Sequence, residues 1–244
     1  MDLFSPWDAA ATDVEEACRV EFELDGVRVE RDAPDVSAVP FERCTPVRSF
    51  PSWPHKRHYS GHQWMQRRCL HVPFESLAER TCLIELDRSP VLAGVASQPM
   101  WLSWPRLGAR HAPDFFVRLS DGMGMVIDVR PHERIDDRAR EQFDRTARVC
   151  TALGLRYSVF SSVSSVRDAN LRFLMRYRDP VWHDPRAVLA LPPGEHLLGE
   201  VARALNHLEN PLATCYALIW HGDLLADLDT PLSLRTHVTL PEAA

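Results

Sequence analysis

Lysine is nearly missing from this sequence, which takes almost all of its positive charge from arginine. Of the 28 basic residues, 27 are arginine, and Lys56 is the only lysine. Chemistry that needs a lysine as a base or as an amine nucleophile is therefore excluded everywhere except at position 56. An arginine at a catalytic position can act through its charge and its hydrogen bonds, but not as a base at neutral pH.

Three further absences narrow the class of protein. No apolar run approaches the ~20 residues that a membrane helix needs, and the N-terminal residues lack the basic and then apolar segments of a signal peptide. None of the six cysteines lies in a Cys-x-x-Cys pair, which favours reduced thiols over a disulfide framework or a zinc site. Together these absences predict a cytoplasmic protein without a membrane partner.

What is present is the composition of an ordinary globular chain. Its 244 residues are 45% hydrophobic and 25% charged, and this length suits one large domain or two small ones. The formal net charge of −6 argues against a surface that is basic all over. It does not describe how the charge is distributed along the chain.

Charge is strongly segregated at the start of the chain. Residues 1–42 contain twelve acidic residues and three arginines, whereas residues 43–74 contain no acidic residue. In the second segment basic residues are interleaved with aromatic ones, a pattern typical of nucleic-acid contact. Its candidate DNA-binding residues are Lys56, Arg57, Arg67 and Arg68. Taken alone, the segment fits better an irregular surface stretch whose aromatic side chains pack on the core.

These shifts in composition predict four segments. Residues 1–47 form an acidic N-terminal extension, and residues 48–179 form the main α/β domain, beginning with the basic aromatic segment. The proline-containing residues 180–193 are a linker. Residues 194–244 form a small C-terminal α+β module of about the usual domain size.

The main domain alternates helix and strand patterns. The order is helix, three strands, helix and strand, with the second and third strands joined as a hairpin at Ser120-Asp121-Gly122. Asp136 or Asp137 caps the second helix, and Gly154 ends it. The predicted ranges are 75–88, 91–99, 112–119, 125–129, 136–154 and 156–160.

The tail has a different pattern, in which helices precede a short β-ribbon. Helices are predicted at 168–178, 194–208 and 212–220, and strands at 224–228 and 237–240. This order is typical of a winged-helix-like module. The alternative is a helical cap with a hairpin that binds a protein. Sparse basic charge on the 194–208 helix weakens the case for DNA binding through it.

Three carboxylates occupy positions where acidic residues are unusual. Glu79 shares a helix face with Leu83 and Leu86, while Asp114 and Asp128 lie at or within apolar strands. Converging carboxylates remain ionised only if a cation or an arginine lies among them. Oxygen ligands of this type suit Mg²⁺ or Mn²⁺. The sequence therefore predicts a metal site formed by Asp114, Asp128 and Glu79.

Several short motifs, in this order, resemble the TnsA-like endonuclease subunit of heteromeric transposases, a family with the PD-(D/E)xK nuclease fold. They are Phe74-Glu75-Ser76-Leu77-Ala78-Glu79, Gln98-Pro99, Pro113-Asp114-Phe115, Ile127-Asp128-Val129-Arg130 and Glu141-Gln142-Phe143. Similar segments flank them, so that the resemblance covers roughly residues 48–238. It implies a restriction-endonuclease-like core in which a mixed sheet is flanked by helices.

The resemblance also assigns roles to residues. Asp114 and Asp128 would hold the metal, and Glu79 would be the helical acid, with Glu75 as its competitor. Arg130 stands where most nucleases of this fold carry lysine. The remaining site candidates are Gln142, which would share the role of Arg130, and Gln98, which would lie near the carboxylates as a DNA-binding residue.

The function implied by the resemblance is Mg²⁺-dependent hydrolysis of one DNA strand at transposon ends, in the bacterial cytoplasm and at the nucleoid. A DDE-type transposase would cut the other strand, and an AAA+ ATPase would regulate both. Two alternatives remain open at this point: a nuclease-fold DNA-binding or assembly subunit that has lost catalysis with its lysine, and a stand-alone nuclease of repair or restriction type.

Overall fold

The computed structural model describes residues 4, 6–9, 17–48, 59–191 and 194–241. The chain is a mixed α/β protein that divides into two compact units. The first unit comprises Met1–Leu83 and Val91–Ser162, and the second comprises Ile84–Pro90 and Val163–Ala244. Among the described residues, no helix is both long and apolar enough to span a bilayer.

Among the described residues, the first unit contains ten strands and helix α2, together with most of helix α1. The elements, in chain order, are β1 Arg19–Leu24, β2 Val27–Asp32, β3 Gly61–Met65, β4 Leu70–Phe74, α1 Leu77–Arg88, β5 Leu92–Ser97, β6 Met100–Trp104, β7 Ala109–His111, β8 Phe115–Leu119, β9 Gly124–Val129, α2 Asp137–Ala152 and β10 Arg156–Phe160.

The central sheet has the strand order β10-β9-β8-β5. Strands β5, β8 and β9 are antiparallel neighbours, and β10 runs parallel to β9 after the α2 crossover. The apolar run of β9 is buried along nearly its whole length, as expected for a strand covered on both faces. Because Phe115 pairs with Ile127, the register brings Asp114 and Asp128 to the same end of the sheet.

A second sheet, with the order β2-β1-β6-β7, was not predicted. Strands β6 and β7 lie in the chain between β5 and β8, so the predicted order of helix, three strands, helix and strand is wrong for this part of the chain. The sheet also includes residues of the predicted acidic extension. Val20 and Phe22 on β1 are buried in the same core as Phe143 of α2.

Helix α2 follows the predicted pattern closely. The Asp136 carboxylate caps its N-terminus by accepting a hydrogen bond from the Ala139 backbone N–H at 2.8 Å. Phe143, Ala147 and other residues at steps of three and four form its buried face. Gly154, with φ of +69°, follows the last turn in the left-handed conformation that favours glycine.

The second unit contains the last three helices and a small antiparallel sheet of order β11-β13-β12. Its elements are α3 Ser165–Leu174, β11 Glu195–Leu197, α4 Leu198–Ala204, α5 Pro211–His221, β12 Leu225–Ala226 and β13 His237–Thr239. Two 3-10 helices, Pro180–Trp182 and Pro185–Ala190, lie in the segment that the sequence predicted as a linker.

The helix predicted over 194–208 is shorter in the structure and is preceded by a strand. The backbone N–H of Leu198 donates to the Thr236 carbonyl at 2.8 Å, and β11 pairs with β13 over the three residues before it. This ladder takes the backbone groups that a longer helix would have used. Leu198 itself is buried in the core of the unit with Leu218 and Trp220.

Candidate functional site

A polar cavity of about 310 Å³ lies in the first unit, at the end of the central sheet where β8 begins and β9 ends. Strands β7 and β9 and helices α1 and α2 contribute to its wall. Its lining residues are Arg48, Glu79, Trp101, Arg110, His111, Ala112, Asp114, Asp128, Val129, Arg130, Gln142 and Phe143. Five of the predicted catalytic residues therefore line one cavity.

Asp114 and Asp128 face each other across the β8–β9 register. The Asp114 backbone N–H is 3.4 Å from Asp128 Oδ1, and Asp114 Oδ2 accepts a hydrogen bond from the Val129 N–H at 2.8 Å. Asp128 is only 2% exposed. The strand pairing that the apolar patterns predicted is thus what brings these two carboxylates together.

The two aspartates and Glu79 crowd negative charge into this cavity. Desolvation raises the pKa of Asp114 well above its usual value, and the charges of Asp128 and Glu79 raise it further. The Val129 hydrogen bond and the charge of Arg48 oppose this rise. A carboxyl group in this environment is stabilised when it takes up a proton or binds a cation.

Glu79 has a structural role in addition to its place in the cavity. Its Oε2 accepts from the Glu75 backbone N–H at 2.7 Å, its Oε1 accepts from the Ser76 hydroxyl at 2.8 Å, and Ser76 Oγ accepts from the Glu79 N–H at 3.2 Å. The bond from the Glu79 N–H to Ser76 Oγ is that of an N-cap at the start of α1, and the Glu79 carboxylate reaches back to the Ser76 hydroxyl and the Glu75 N–H, in a variant of the capping box. The Ser-x-x-Glu pattern thus carries a helix-start signal as well as a candidate acid.

Glu75, the competitor for the role of the helical acid, lies outside the set of cavity-lining residues. Its Oε2 contacts the guanidinium of Arg48 and accepts from Gln98 Nε2 at 3.0 Å. The pKa of Glu79 is raised, and the largest cause of the rise is burial. Of the two glutamates, Glu79 is the one that contributes to the carboxylate cluster.

His111 and Tyr157 were missed by sequence reasoning, yet both contact Asp128. His111 Nε2 lies 2.9 and 3.0 Å from the two carboxylate oxygens, and the Tyr157 hydroxyl donates to Oδ2 at 2.5 Å. Gln142 Nε2 lies 2.9 Å from His111 Nδ1. Because the Gln142 amide nitrogen can only donate, Nδ1 is the acceptor in that contact, and Nε2 is the ring nitrogen that faces Asp128.

The signal for His111 was too weak to read from the sequence. The residue ends the three-residue strand β7, which belongs to the second sheet. Neither that strand nor the face it presents to Asp128 follows from local pattern. Tyr157 was placed on a predicted strand, but its partner became visible only through the parallel pairing of β10 with β9.

Arg130, the predicted catalytic basic residue, is among the residues that line the cavity. Its Nε donates to the Arg134 carbonyl at 2.9 Å, and its backbone N–H donates to the Phe160 carbonyl at 3.0 Å. The residue is exposed. Its guanidinium is therefore turned at least partly toward the following turn of the chain.

Of the remaining predicted residues, the three that the structure describes do not line the cavity. Gln98 is fully buried, and Arg67 and Arg68 lie in the turn that joins β3 to β4. Lys56 and Arg57 lie outside the described residues. Two arginines that the sequence did not single out as site residues, Arg48 and Arg110, also line the cavity.

The three carboxylates are of the chemical type that a hard divalent cation binds, but their arrangement fits such a cation less well. Asp114, Asp128 and Glu79 supply oxygen ligands of the kind Mg²⁺ and Mn²⁺ prefer. Over the described ranges, however, no group of three or more His, Cys, Asp or Glu side chains is arranged so that it could hold a metal ion. His111 and Tyr157 already contact the oxygens of Asp128, so a bound cation would have to displace or join them.

Comparison with known proteins does not assign the chain to a family. No family model matches the chain, and a search of curated proteins finds no match. The function must therefore be argued from the cavity itself.

Proposed function

We propose that this chain is a Mg²⁺- or Mn²⁺-dependent DNA endonuclease subunit of the TnsA-like type, which hydrolyses one strand at transposon ends. The observation that carries the proposal is the convergence of Glu79, Asp114 and Asp128 on one polar cavity at the end of a mixed sheet. Carboxylate clusters of this kind cost free energy unless a cation or a proton compensates them.

The topology around the cavity supports the same proposal. Strands β5, β8 and β9 are antiparallel neighbours, and α2 leads into β10, which is parallel to β9. With the inserted strands β6 and β7 set aside, this is the order that the resemblance described above implies for a restriction-endonuclease-like core. In the second unit, the succession β11, α4, α5, β12 and β13 supports a winged-helix-like module.

In this proposal Asp114 and Asp128 would hold the cation, with Glu79 as the helical acid. The cation, when bound, supplies Lewis acidity at the scissile phosphate and lowers the pKa of water. Arg130 and Gln142 would stabilise the charge that develops on phosphorus oxygens. The resemblance implies products with a 3′-hydroxyl and a 5′-phosphate.

The proposed partners also follow from the resemblance. They are double-stranded DNA at transposon ends, a DDE-type transposase subunit and an AAA+ ATPase regulator, at the nucleoid of a bacterial cell. For the C-terminal module 194–244, protein contact and DNA contact are both proposed. Its 195–222 stretch carries a single arginine, Arg203, which weakens the case for DNA contact.

A second candidate function has its own supporting observation. Asp128 is engaged by His111 and Tyr157, and Arg130 by the Arg134 carbonyl. If these bonds persist on DNA, the chain would be a nuclease-fold binding or assembly subunit without catalysis.

A cleavage assay separates these candidates. The protein and its partner transposase are incubated with end-containing DNA and Mg²⁺ or Mn²⁺, comparing wild type with Asp114→Asn and with Asp121→Asn. Asp121 lies in the exposed β8–β9 turn, where asparagine is tolerated, and serves as the matched control. Cleavage by wild type and Asp121→Asn but not by Asp114→Asn supports the nuclease.

Two other outcomes favour the alternatives. DNA binding without cleavage by any variant would support the non-catalytic subunit. Cleavage of DNA that lacks transposon ends, in the absence of a partner, would support a stand-alone repair or restriction nuclease.

A further inference from the structure

We infer that Arg48 is a phosphate-binding residue of the cavity, which Glu75 and Gln98 hold in place until a phosphodiester of DNA replaces Glu75 as its partner. The inference rests on the proposed function, because that function makes a phosphodiester the ligand. It adds a binding residue and a mode of release to the site.

The position of Arg48 is the first observation. Its side chain lines the cavity that also contains Asp114 and Asp128, and it is 43% exposed. It is therefore open to an approaching ligand while remaining next to the carboxylate cluster. Its charge lowers the pKa of both Asp114 and Glu79, in opposition to the desolvation that raises both values.

Arg48 is held by a buried amide as well as by a carboxylate. Its Nε donates to Gln98 Oε1 at 2.8 Å, and its Nη2 contacts Glu75 Oε2. Gln98 Nε2 donates to the same oxygen of Glu75 at 3.0 Å. The three side chains form one hydrogen-bonded group at the edge of the cavity.

Gln98 shows that this group is built into the fold. It is fully buried and has a φ of +44°, a left-handed conformation that is uncommon for residues other than glycine. Its backbone N–H donates to the Asp114 carbonyl, and its carbonyl accepts from the Val47 N–H, both at 2.9 Å. Because an unfavourable backbone conformation persists only where surrounding contacts hold it, Gln98 is a fixed anchor for Arg48.

The partner that Arg48 now has is exchangeable. Guanidinium N–H groups donate to carboxylate and phosphate oxygens alike, and Arg48 contacts Glu75 through Nη2 while its Nε stays on Gln98. Glu75 is partly exposed and is tied to Gln98 by a second bond, so it retains a partner if Arg48 leaves it.

The test measures DNA binding with divalent ions chelated, so that cleavage does not enter the readout. A fluorescent duplex is titrated with wild type, Arg48→Gln, Arg48→Lys and Glu75→Gln over a range of salt concentrations. Arg48→Gln should bind more weakly and lower the slope of log affinity against log salt by about 1, the loss of one phosphate contact. Glu75→Gln should bind more tightly, because it removes the competing carboxylate.

The matched control is Arg19→Gln. Arg19 is also about half exposed and is paired with a glutamate, Glu30, but it does not line the cavity. Its removal should leave the salt slope unchanged. Arg48→Lys keeps the charge without the fork and should retain the slope while losing part of the affinity.

The inference is overturned if Arg48→Gln, shown by its unfolding curve to be folded, binds DNA with wild-type affinity and slope. It is also overturned if Glu75→Gln binds no more tightly than wild type. Failure of the proposed hydrolysis has a different signature: the Arg48 effects on binding persist, but no variant cleaves DNA when Mg²⁺ or Mn²⁺ is restored.

Discussion

Both units bury carboxylates, but they treat them differently. In the second unit, Glu85 is 7% exposed, and its two oxygens contact Arg88 Nη1 at 3.1 Å and Arg167 Nε at 2.6 Å. Arg167 reaches Asp229 at 3.3 Å as well. The buried acid of this cluster, Glu85, therefore has two cationic partners, which is what a purely structural buried charge requires, whereas Asp229 is exposed.

The cavity of the first unit differs, because its arginines contact groups outside the carboxylate cluster: Arg48 contacts Glu75, Arg110 contacts Glu21, and Arg130 contacts the Arg134 carbonyl. Three carboxylates meet there, and desolvation and mutual repulsion raise the pKa of Asp114 well above its usual value. Arg48, the arginine that lowers this pKa, is also shared with Glu75. The comparison suggests how to distinguish a structural cluster from a functional one: the first is neutralised within the fold, whereas the second keeps negative charge for a ligand to compensate.

The largest expected effect of a substitution is in the balanced cluster. Arg167→Met leaves Glu85 buried with only Arg88 as a partner, so the free energy of unfolding should fall by about 3 kcal/mol, measured by urea denaturation. The double variant with Glu85→Gln should recover part of the loss, because no unpaired charge remains. Arg172→Gln, which breaks an exposed pair with Asp168, is the control and should cost less than about 1 kcal/mol.

The second-largest effect should appear only at the carboxylates of the cavity, Glu79, Asp114 and Asp128. If the cavity holds a divalent cation, Mg²⁺ or Mn²⁺ at a hundredfold excess over its dissociation constant stabilises the wild type by about 2.7 kcal/mol. Asp114→Asn and Asp128→Asn should abolish this stabilisation, whereas Arg167→Met should keep it. If neither ion stabilises the wild type at millimolar concentration, the carboxylates are not a metal site and the contrast between the clusters fails.

The parts of the fold that could be predicted are those with a strong local pattern. The apolar run that becomes β9, the helical periodicity of α2 and the β-rich residues of β10 all appear where expected. The β1–β2 hairpin was missed although its signal is present: Val20 and Phe22 alternate with polar residues, and Asp25-Gly26 forms the turn with positive φ at both residues. The high acidic content of that segment concealed the alternation.

The candidate site could be predicted only in part, for a related reason. Asp114 and Asp128 were recognisable because acidic residues are unusual in apolar strands, and the hairpin brings them together. His111 and Arg48 come from segments outside the central sheet, and their position in the cavity depends on tertiary packing. No spacing in the sequence encodes that proximity.

A smaller effect on stability is expected at Asp128, because this cavity carboxylate, like Glu85, has hydrogen-bond partners within the fold. The Tyr157 hydroxyl, which is buried, donates to Asp128, and Tyr157→Phe should lower the free energy of unfolding by about 2 kcal/mol, since a hydrogen bond to a charged group is lost. Tyr59→Phe, at a residue 73% exposed, should have no effect. If Tyr157→Phe is also without effect, Asp128 does not depend on that bond and is freer to bind a cation.

The smallest effect concerns the pH dependence of stability. Because the pKa of Asp114 is raised in the folded state above its unfolded value of about 3.9, ionised Asp114 destabilises the fold. This destabilisation is fully present above the raised pKa and disappears as the pH falls below the unfolded value. Asp114→Asn should therefore be more stable than wild type at neutral pH, by less than the Arg167 variant loses, and the two should converge below about pH 4.

Urea denaturation across this pH range makes the measurement, with Asp121→Asn as the control that should show no such convergence. The opposite sign is informative. If Asp114→Asn is less stable than wild type at neutral pH, the hydrogen bond from the Val129 N–H to Asp114 outweighs the repulsion from Asp128 and Glu79. The cavity would then be balanced within the fold, as the Glu85 cluster is, and its carboxylates would not need a ligand.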